Sequence, residues 1–371
     1  MSARLFTPIS LREITLPNRL VVAPMCQYSA ENGVMSDWHV MHLGTLANSG
    51  AGLVIVEATG VVPEGRITDG CVGLYDDATE AAMKRVVASC RRFGTAKLGI
   101  QLGHAGRKAS STKPWEQATH GEPLPAGRAW QTKAPSAVPV AEHWPLPSAM
   151  SEAEIEALPA QFAEAARRAD RLGFDVVEVH GAHGYLLHQF LSPLSNVRND
   201  AWGGPLENRM RAPLAVFEAV RRVWPAHKPA GIRVSASDWV EGGWTLEETV
   251  EFAKRLKALG CDFIDASSGG TSLAQKIAIG PGFQVPFAEA LKREVGMPTM
   301  AVGMITEPEQ AEAILAEGKA DMISIARAFL DDPHWGWHAA IRLGAEIDLP
   351  PQYRRVLPRA WDPARRHAAR G

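Results

Sequence analysis

Phe174-Asp175-Val176-Val177-Glu178-Val179-His180 is a short, mostly apolar run, rich in valine and followed by Gly181. β-branched residues in such a run suit a strand buried on both faces, as parallel strands are. Similar runs recur at 20–23, 52–57, 97–101, 230–234, 261–266, 298–302 and 321–325. Amphipathic helical patterns fall between them, at 38–49, 78–93, 151–172, 208–223, 246–259, 287–294 and 307–317. Ser151 stands three residues before Glu154, a capping-box start, and Gly173 stops that helix. Gly260 stops the helix over 246–259 in the same way. Eight strands with helices between them are βαβ units, and right-handed crossovers can close eight of them into a ring. The expected fold is therefore α/β, a (β/α)8 TIM barrel, in one domain over 1–371. An open doubly wound sheet is the rival, but no G-x-G-x-x-G follows the first strand. An N-terminal hairpin is expected ahead of the barrel. Residues 103–150, rich in Pro, Gly and Trp, read as a lid-like excursion after strand three, ordered by Trp115, Trp130 and Trp144. Residues 350–371 read as a basic, loop-like tail.

Composition narrows the partners. The 371 residues carry 39 basic and 41 acidic side chains, a net charge of −2, so neither nucleic acid nor a membrane surface is called for. No apolar run approaches the ~20 residues of a membrane helix, and no signal-peptide core follows Met1. Cys26, Cys71, Cys90 and Cys261 are far apart and form no C-x-x-C pair, which argues against a zinc ribbon or iron–sulfur cluster. A reduced, cytoplasmic protein is expected.

In a barrel of this kind the chemistry sits at the C-terminal strand ends. Strand four runs into His180-Gly181-Ala182-His183-Gly184-Tyr185. Residues three apart on a strand face opposite ways, so the imidazoles converge only if the chain turns after His180. Gly181 and Gly184 permit such a turn. Two converging N–H donors would hold a carbonyl or nitro oxygen, and Tyr185 would deliver a proton beside them. A zinc pair in a metal-dependent barrel hydrolase is the alternative, for which no third ligand is placed. Two satisfied structural histidines are equally open on these residues alone. Arg233 lies inside an apolar strand and must be paired or serve a site. It would face an electron-rich ring or form an interior ion pair with Asp265 or Glu178. Gln101 would hydrogen-bond a heteroaromatic edge or cap a loop. Gly303 and Arg327 follow strands seven and eight, the usual phosphate position of a barrel. Cys26 reads equally as a small buried hydrophobe.

These stretches together resemble the old yellow enzyme family of flavin ene-reductases, closest to the subgroup containing xenobiotic reductase A and the YqjM-type enzymes. The resemblance rests on Leu16-Pro17-Asn18-Arg19-Leu20, Ala23-Pro24-Met25-Cys26-Gln27-Tyr28 and His104-Ala105-Gly106-Arg107-Lys108. It rests most on the stretch from His180 through Phe190-Leu191-Ser192-Pro193-Leu194-Ser195-Asn196 to Gly203-Gly204 and Glu207-Asn208-Arg209. It implies FMN across the barrel mouth, with NADPH or NADH as reductant. Ala23, Pro24, Met25 and Cys26 would line the ring, with Ala58 and Gln101 at its pyrimidine side and Arg233 near N1 and O2. Gly303, Ala326 and Arg327 would bind the phosphate. His180 and His183 would hold the substrate oxygen, Tyr185 would donate the proton and Tyr28 would touch the substrate. No metal is implied. A homo-oligomer, dimer or tetramer, is implied, with Arg355 entering a neighbour's site; a solvated basic tail is the other reading of Arg355. The chain departs from the family pattern at Ala326, which replaces a Gly, and at Val302, where xenobiotic reductase A has Trp. Trp202 and Pro205 replace the usual Tyr and Ser.

Overall fold

The computed structural model describes residues 3–116 and 121–361. Its centre is a closed eight-stranded barrel. A hairpin of β1 (Ile9–Leu11) and β2 (Ile14–Leu16) comes first, as expected. The barrel strands are β3 (Leu20–Val22), β4 (Leu53–Gly60), β5 (Lys97–Gly103), β8 (Val176–Gly181), β9 (Ala230–Ser235), β10 (Phe263–Ser267), β11 (Thr299–Ala301) and β12 (Met322–Ile325). Every barrel pairing is parallel. Helices α1 (Asp37–Leu46), α2 (Asp77–Phe93), α3 (Glu152–Arg171), α4 (Leu186–Leu191) and α5 (Leu206–Val223) lie in the first half of the crossovers. Then come α6 (Leu246–Ala258), α7 (Val285–Val295), α8 (Pro308–Ala316), α9 (Arg327–Asp331) and α10 (Trp335–Arg342). The Ser151–Glu154 capping box forms, and Gly173 turns the chain at φ 86°.

Side chains two apart on a strand share a face, so each barrel strand contributes an inward series. The lower part of that interior is apolar: Val21, Leu53, Ile55, Val176, Phe263, Met300 and Met322 pack with Leu11 and Leu16 of the hairpin. The hairpin thus plugs the N-terminal end. Above this floor the series turns polar, with Gln101, Glu178, Arg233 and Asp265, and then His180 and Ser267. Gly231 keeps the floor close-packed, because a Cβ there would lie 2.4 Å from the Phe263 ring. Gly231→Ala is expected to overpack and cost ~1–3 kcal/mol, read as a lower urea midpoint at unchanged m. An unchanged midpoint would show that the Phe263 ring moves freely.

The excursion after β5 is partly ordered by its own short sheet, β6 (Lys133–Ala134) with β7 (Ser148–Ala149). Of the three tryptophans expected to anchor it, Trp130 does so, donating its indole N–H to the Glu64 carbonyl at 3.0 Å. Trp115 instead is 64% exposed and stands edge to face with Tyr28, ring centres 5.8 Å apart. The tail is not purely loop: Pro351–Val356 is a 3-10 turn, whose Tyr353 packs on Trp337 of α10 at 5.2 Å. The rest of the tail, 362–371, lies outside the described residues, as do residues 117–120 of the excursion.

Candidate active site

β8 ends at Gly181, and the chain reverses immediately beyond it. The left-handed positions are His183 at φ 59° and Gly184 at φ 70°. Gly181, expected to permit the turn, is instead extended strand; its lack of a side chain spares Ile232, whose Cδ1 would stand 3.0 Å from a Cβ. Gly184 is obligatory, since a Cβ there would lie 2.2 Å from the Gly270 carbonyl oxygen. The reversal brings the His180 and His183 rings to 5.2 Å, edge to face, and the Tyr185 ring to 4.9 Å from His180.

His180 Nδ1 accepts the Ala182 N–H at 3.2 Å, so in the neutral ring Nε2 carries the proton. His183 is more constrained. Its backbone N–H donates to Ser235 Oγ at 2.8 Å, and its Nε2 lies 2.7 Å from Ser267 Oγ. Ser267 in turn donates to Gln284 Oε1 at 3.3 Å, so its lone pair faces His183. The two imidazoles converge as expected, but His183 has a protein partner already. Burial, then the charge of Arg233, pushes both imidazoles well below the ordinary histidine range, so both are neutral at physiological pH. Burial likewise pushes the Tyr185 hydroxyl well above its usual value, with Cys26, Tyr28 and Cys71 adding to it. That hydroxyl stays protonated and able to donate.

Several residues that complete this corner were not assigned roles from sequence. Lys108 Nζ donates to the carbonyls of His183 (2.9 Å) and Gly270 (3.1 Å) and stands 5.1 Å from the Tyr185 ring centre. Burial, then Arg107, brings its ammonium down to about 8. Arg107 ties the excursion to the rim through the carbonyls of Val138, Pro139 and Thr271. Beneath the turn, His188 Nδ1 accepts the Gly184 N–H at 2.9 Å, while its Nε2 faces Asp238 at 3.1 Å. Lys108 and Arg107 were visible in the quoted motif, but nothing local says what their chains reach. Asp238 and Gln284 lie far along the chain and have no sequence signal at all. Lys108→Met is expected to raise KM for substrate about tenfold, because a charge-assisted hydrogen bond to the turn carrying His183 is lost. Steady-state kinetics check it, and an unchanged KM would leave Lys108 without a role at the turn.

Arg233 sits in register with His180 on one side and Asp265 on the other. Its Nε is 3.5 Å from Asp265 Oδ2, an ion pair without a formed hydrogen bond, and Nε has no partner. The interior ion pair therefore exists beside a largely buried guanidinium that is not saturated by it. Gln101 does not cap a loop: its amide NH2 donates to Glu178 Oε1 at 2.7 Å. Burial, then Asp265, raises the Glu178 carboxyl to about 8.

At the end of β3, Ala23 is buried, and Pro24, Met25 and Cys26 are half-buried. The contact with Cys71, then burial, holds the Cys26 thiol well above its ordinary range, so it stays protonated, on a side chain that is only half-buried. Tyr28 follows in left-handed conformation at φ 51°, and burial raises its hydroxyl. Ala58 lies in β4, near the barrel mouth. Gly303 adopts φ 119° directly after β11, and Gln284 braces that loop by donating to the Val302 carbonyl at 3.3 Å. Ala326 caps α9, and Arg327 opens it with an exposed side chain on a cleft shared with Thr306 and Asp332. Arg355 is exposed on the 3-10 turn.

The residues fit a flavin mononucleotide. An unsaturated guanidinium and an amide with its acceptor end unpaired match a ring edge that offers both acceptors and an N–H. Apolar β3 residues suit the ring face, and Gly303 and Ala326 follow adjacent strands at the usual phosphate position. For the hydrolase alternative, no group of three or more His, Cys, Asp or Glu among the described residues is arranged to hold a metal.

A parallel barrel with this rim defines the class: a flavin-dependent barrel oxidoreductase. The chain belongs to the NADH:flavin oxidoreductase/NADH oxidase family, the old yellow enzymes, whose family model matches residues 4–345. NADPH dehydrogenase of Geobacillus thermodenitrificans is 44% identical over 357 residues, 96% of this chain and 99% of the relative. NADPH dehydrogenase of Listeria innocua is 44% identical over 356 residues, 95% and 99% of the two chains. Morphinone reductase superposes with a TM-score of 0.76 at 28% identity, over 95% of this chain and 93% of its own. A 2-naphthoyl-CoA reductase superposes at 0.82 with 26% identity over 93% of this chain, which spans 53% of that larger protein. The cofactors are accordingly FMN and NADPH. Among the described residues no helix is long and apolar enough to cross a membrane.

Proposed function

We propose that this oxidoreductase is an ene-reductase of the xenobiotic reductase A/YqjM-like subgroup. It would reduce the activated C=C bond of α,β-unsaturated carbonyls or nitro compounds in ping-pong turnover with NADPH. The observation that supports this best is the corner of His180, His183 and Tyr185 beside Arg233 and Gln101. FMN, when bound, supplies hydride exchange between the nicotinamide and the substrate alkene. Ala23, Pro24, Met25, Cys26 and Ala58 would line its ring, Gln101 and Arg233 its pyrimidine edge, and Gly303, Ala326 and Arg327 its phosphate.

His180 donates its Nε2–H to the substrate oxygen. His183 joins by giving up, or sharing, its contact with Ser267. Neutral donors suit the task, because their hydrogen bonds strengthen as the oxygen gains negative charge. Tyr185, kept protonated by burial, delivers a proton to the α-carbon, and Tyr28 flanks the substrate. In a dimer or tetramer Arg355 would complete a neighbouring copy's site.

The test is purification and turnover. A yellow protein that oxidises NADPH with cyclohexenone is expected, and Tyr185→Phe should slow the proton-dependent half-reaction by ~10²–10⁴. Protein that shows no flavin absorbance even after FMN is added would falsify the reading.

A further inference from the structure

The polar middle layer of the barrel holds a carboxyl that the proposed chemistry does not use. Glu178 lies opposite Gln101 in the β5–β8 register and is completely buried. Its Oε1 accepts the Gln101 amide N–H at 2.7 Å, and its Oε2 has no partner. Its neighbour in the β8–β9 register is Gly231, which offers no side chain. A primary amide has a donor end and an acceptor end, and which faces a ligand depends on what holds the other. Here the donor end is held, and Gln101 Oε1 is the end left over. The flavin pyrimidine ring carries an N–H between two carbonyls. The reverse amide orientation would set donor against donor there.

We propose that Glu178 is a positioning residue for the cofactor, holding Gln101 by its amide NH2 so that the Gln101 carbonyl oxygen accepts the N–H of the flavin pyrimidine ring. This rests on the placement of that ring at Gln101 proposed above. The groups facing Glu178 are Gln101 on β5, Arg233 on β9 and Asp265 on β10. With its carboxyl raised to about 8, Glu178 is protonated at neutral pH and Asp265 balances Arg233. Above that pH a second carboxylate stands beside Arg233. Adding electrons to the ring then becomes harder, and the reduction potential falls more steeply with pH.

The test uses apoprotein titrated with FMN by fluorescence, and the potential of the holoenzyme from pH 6 to 9.5. Wild type, Glu178→Gln, Gln101→Leu and the double variant are compared. Glu178→Gln is expected to weaken FMN binding about tenfold, since the acid accepts at Oε1 and keeps its one proton on Oε2, away from Gln101, whereas a glutamine can present its NH2 there and let the Gln101 amide flip. It should also abolish the steepening near pH 8. The double variant should bind FMN no worse than Gln101→Leu alone, because Glu178 acts through Gln101. FMN affinity unchanged in Glu178→Gln, or an effect that adds in full to that of Gln101→Leu, overturns the proposal. Unchanged affinity in Gln101→Leu overturns the ring placement itself, and this inference with it. If Glu178→Gln does not fold, Glu178→Asp withdraws the carboxyl by one methylene and is expected to show the same loss of FMN affinity.

Discussion

Replacing His180 by alanine is expected to slow reduction of cyclohexenone by ~10²–10³ while leaving FMN bound. That is the usual cost of removing one donor to a developing oxyanion. The size follows from the tautomer: Nδ1 is committed to the Ala182 N–H, so Nε2–H is the free donor. His183→Ala is expected to cost less, because in the resting site His183 Nε2 already rests on Ser267. Stopped-flow separation of the two half-reactions checks both. Reduction by NADPH should change little, and oxidation by the enone should carry the loss. An enone half-reaction unchanged in His180→Ala would end the clamp assignment. The pH dependence has a definite sign. Burial depresses both imidazoles in the folded protein, so each is neutral down to a pH well below the ordinary histidine value. The enone half-reaction should therefore show no histidine titration between pH 8 and 6. Because the unfolded chain takes up those protons first, stability should fall as pH drops below about 6.5.

The barrel was legible because its cause is local and repeated. Short β-branched runs and 3.6-periodic stretches alternate, and all eight barrel strands overlap the runs read from sequence. The errors were at strand ends. The second strand was read as 52–57, yet β4 runs to Gly60, because its pairing with β5 resumes at Thr59 after a register shift. In the site, the residues at strand ends were legible because a polar side chain closing an apolar strand is conspicuous. Arg233 and Glu178 were legible for another reason: each is a charge inside an apolar strand, which must be paired or serve a site. The Gln101–Glu178 bond was not legible: register between β5 and β8, distant in sequence, decides it. The same holds for His183 and Ser267, which meet only because β8 and β10 flank β9. The positive φ of His183 itself has no signal in the sequence. Glycine is the usual residue at positive φ, so Gly181 drew the assignment, whereas the Ser235 hydrogen bond and Lys108 hold a histidine in that region.

Arg233→Met should do the largest damage to the apoprotein. The guanidinium is 8% exposed and is the cation between Asp265 and Glu178, both fully buried. Removing one partner of a buried pair leaves an uncompensated charge, at a cost of ~3–5 kcal/mol. The loss should depend on pH. A carboxyl raised in the folded state stabilises below its unfolded value near 4, and that contribution disappears as pH rises through its folded value. For Glu178 the window runs from about 4.3 to about 8. Arg233 lowers both carboxyls, so its removal raises them further and extends the window upward. The deficit against wild type should thus be smaller near pH 5, where Glu178 is protonated with or without Arg233, and larger near pH 8.5. Urea denaturation at the two pH values measures it. Adding Asp265→Asn should restore part of the stability at pH 8.5, since it removes the charge that Arg233 no longer meets. A deficit equal at both pH values would mean that Arg233 contributes packing alone and that its charge is not what the barrel interior is built around.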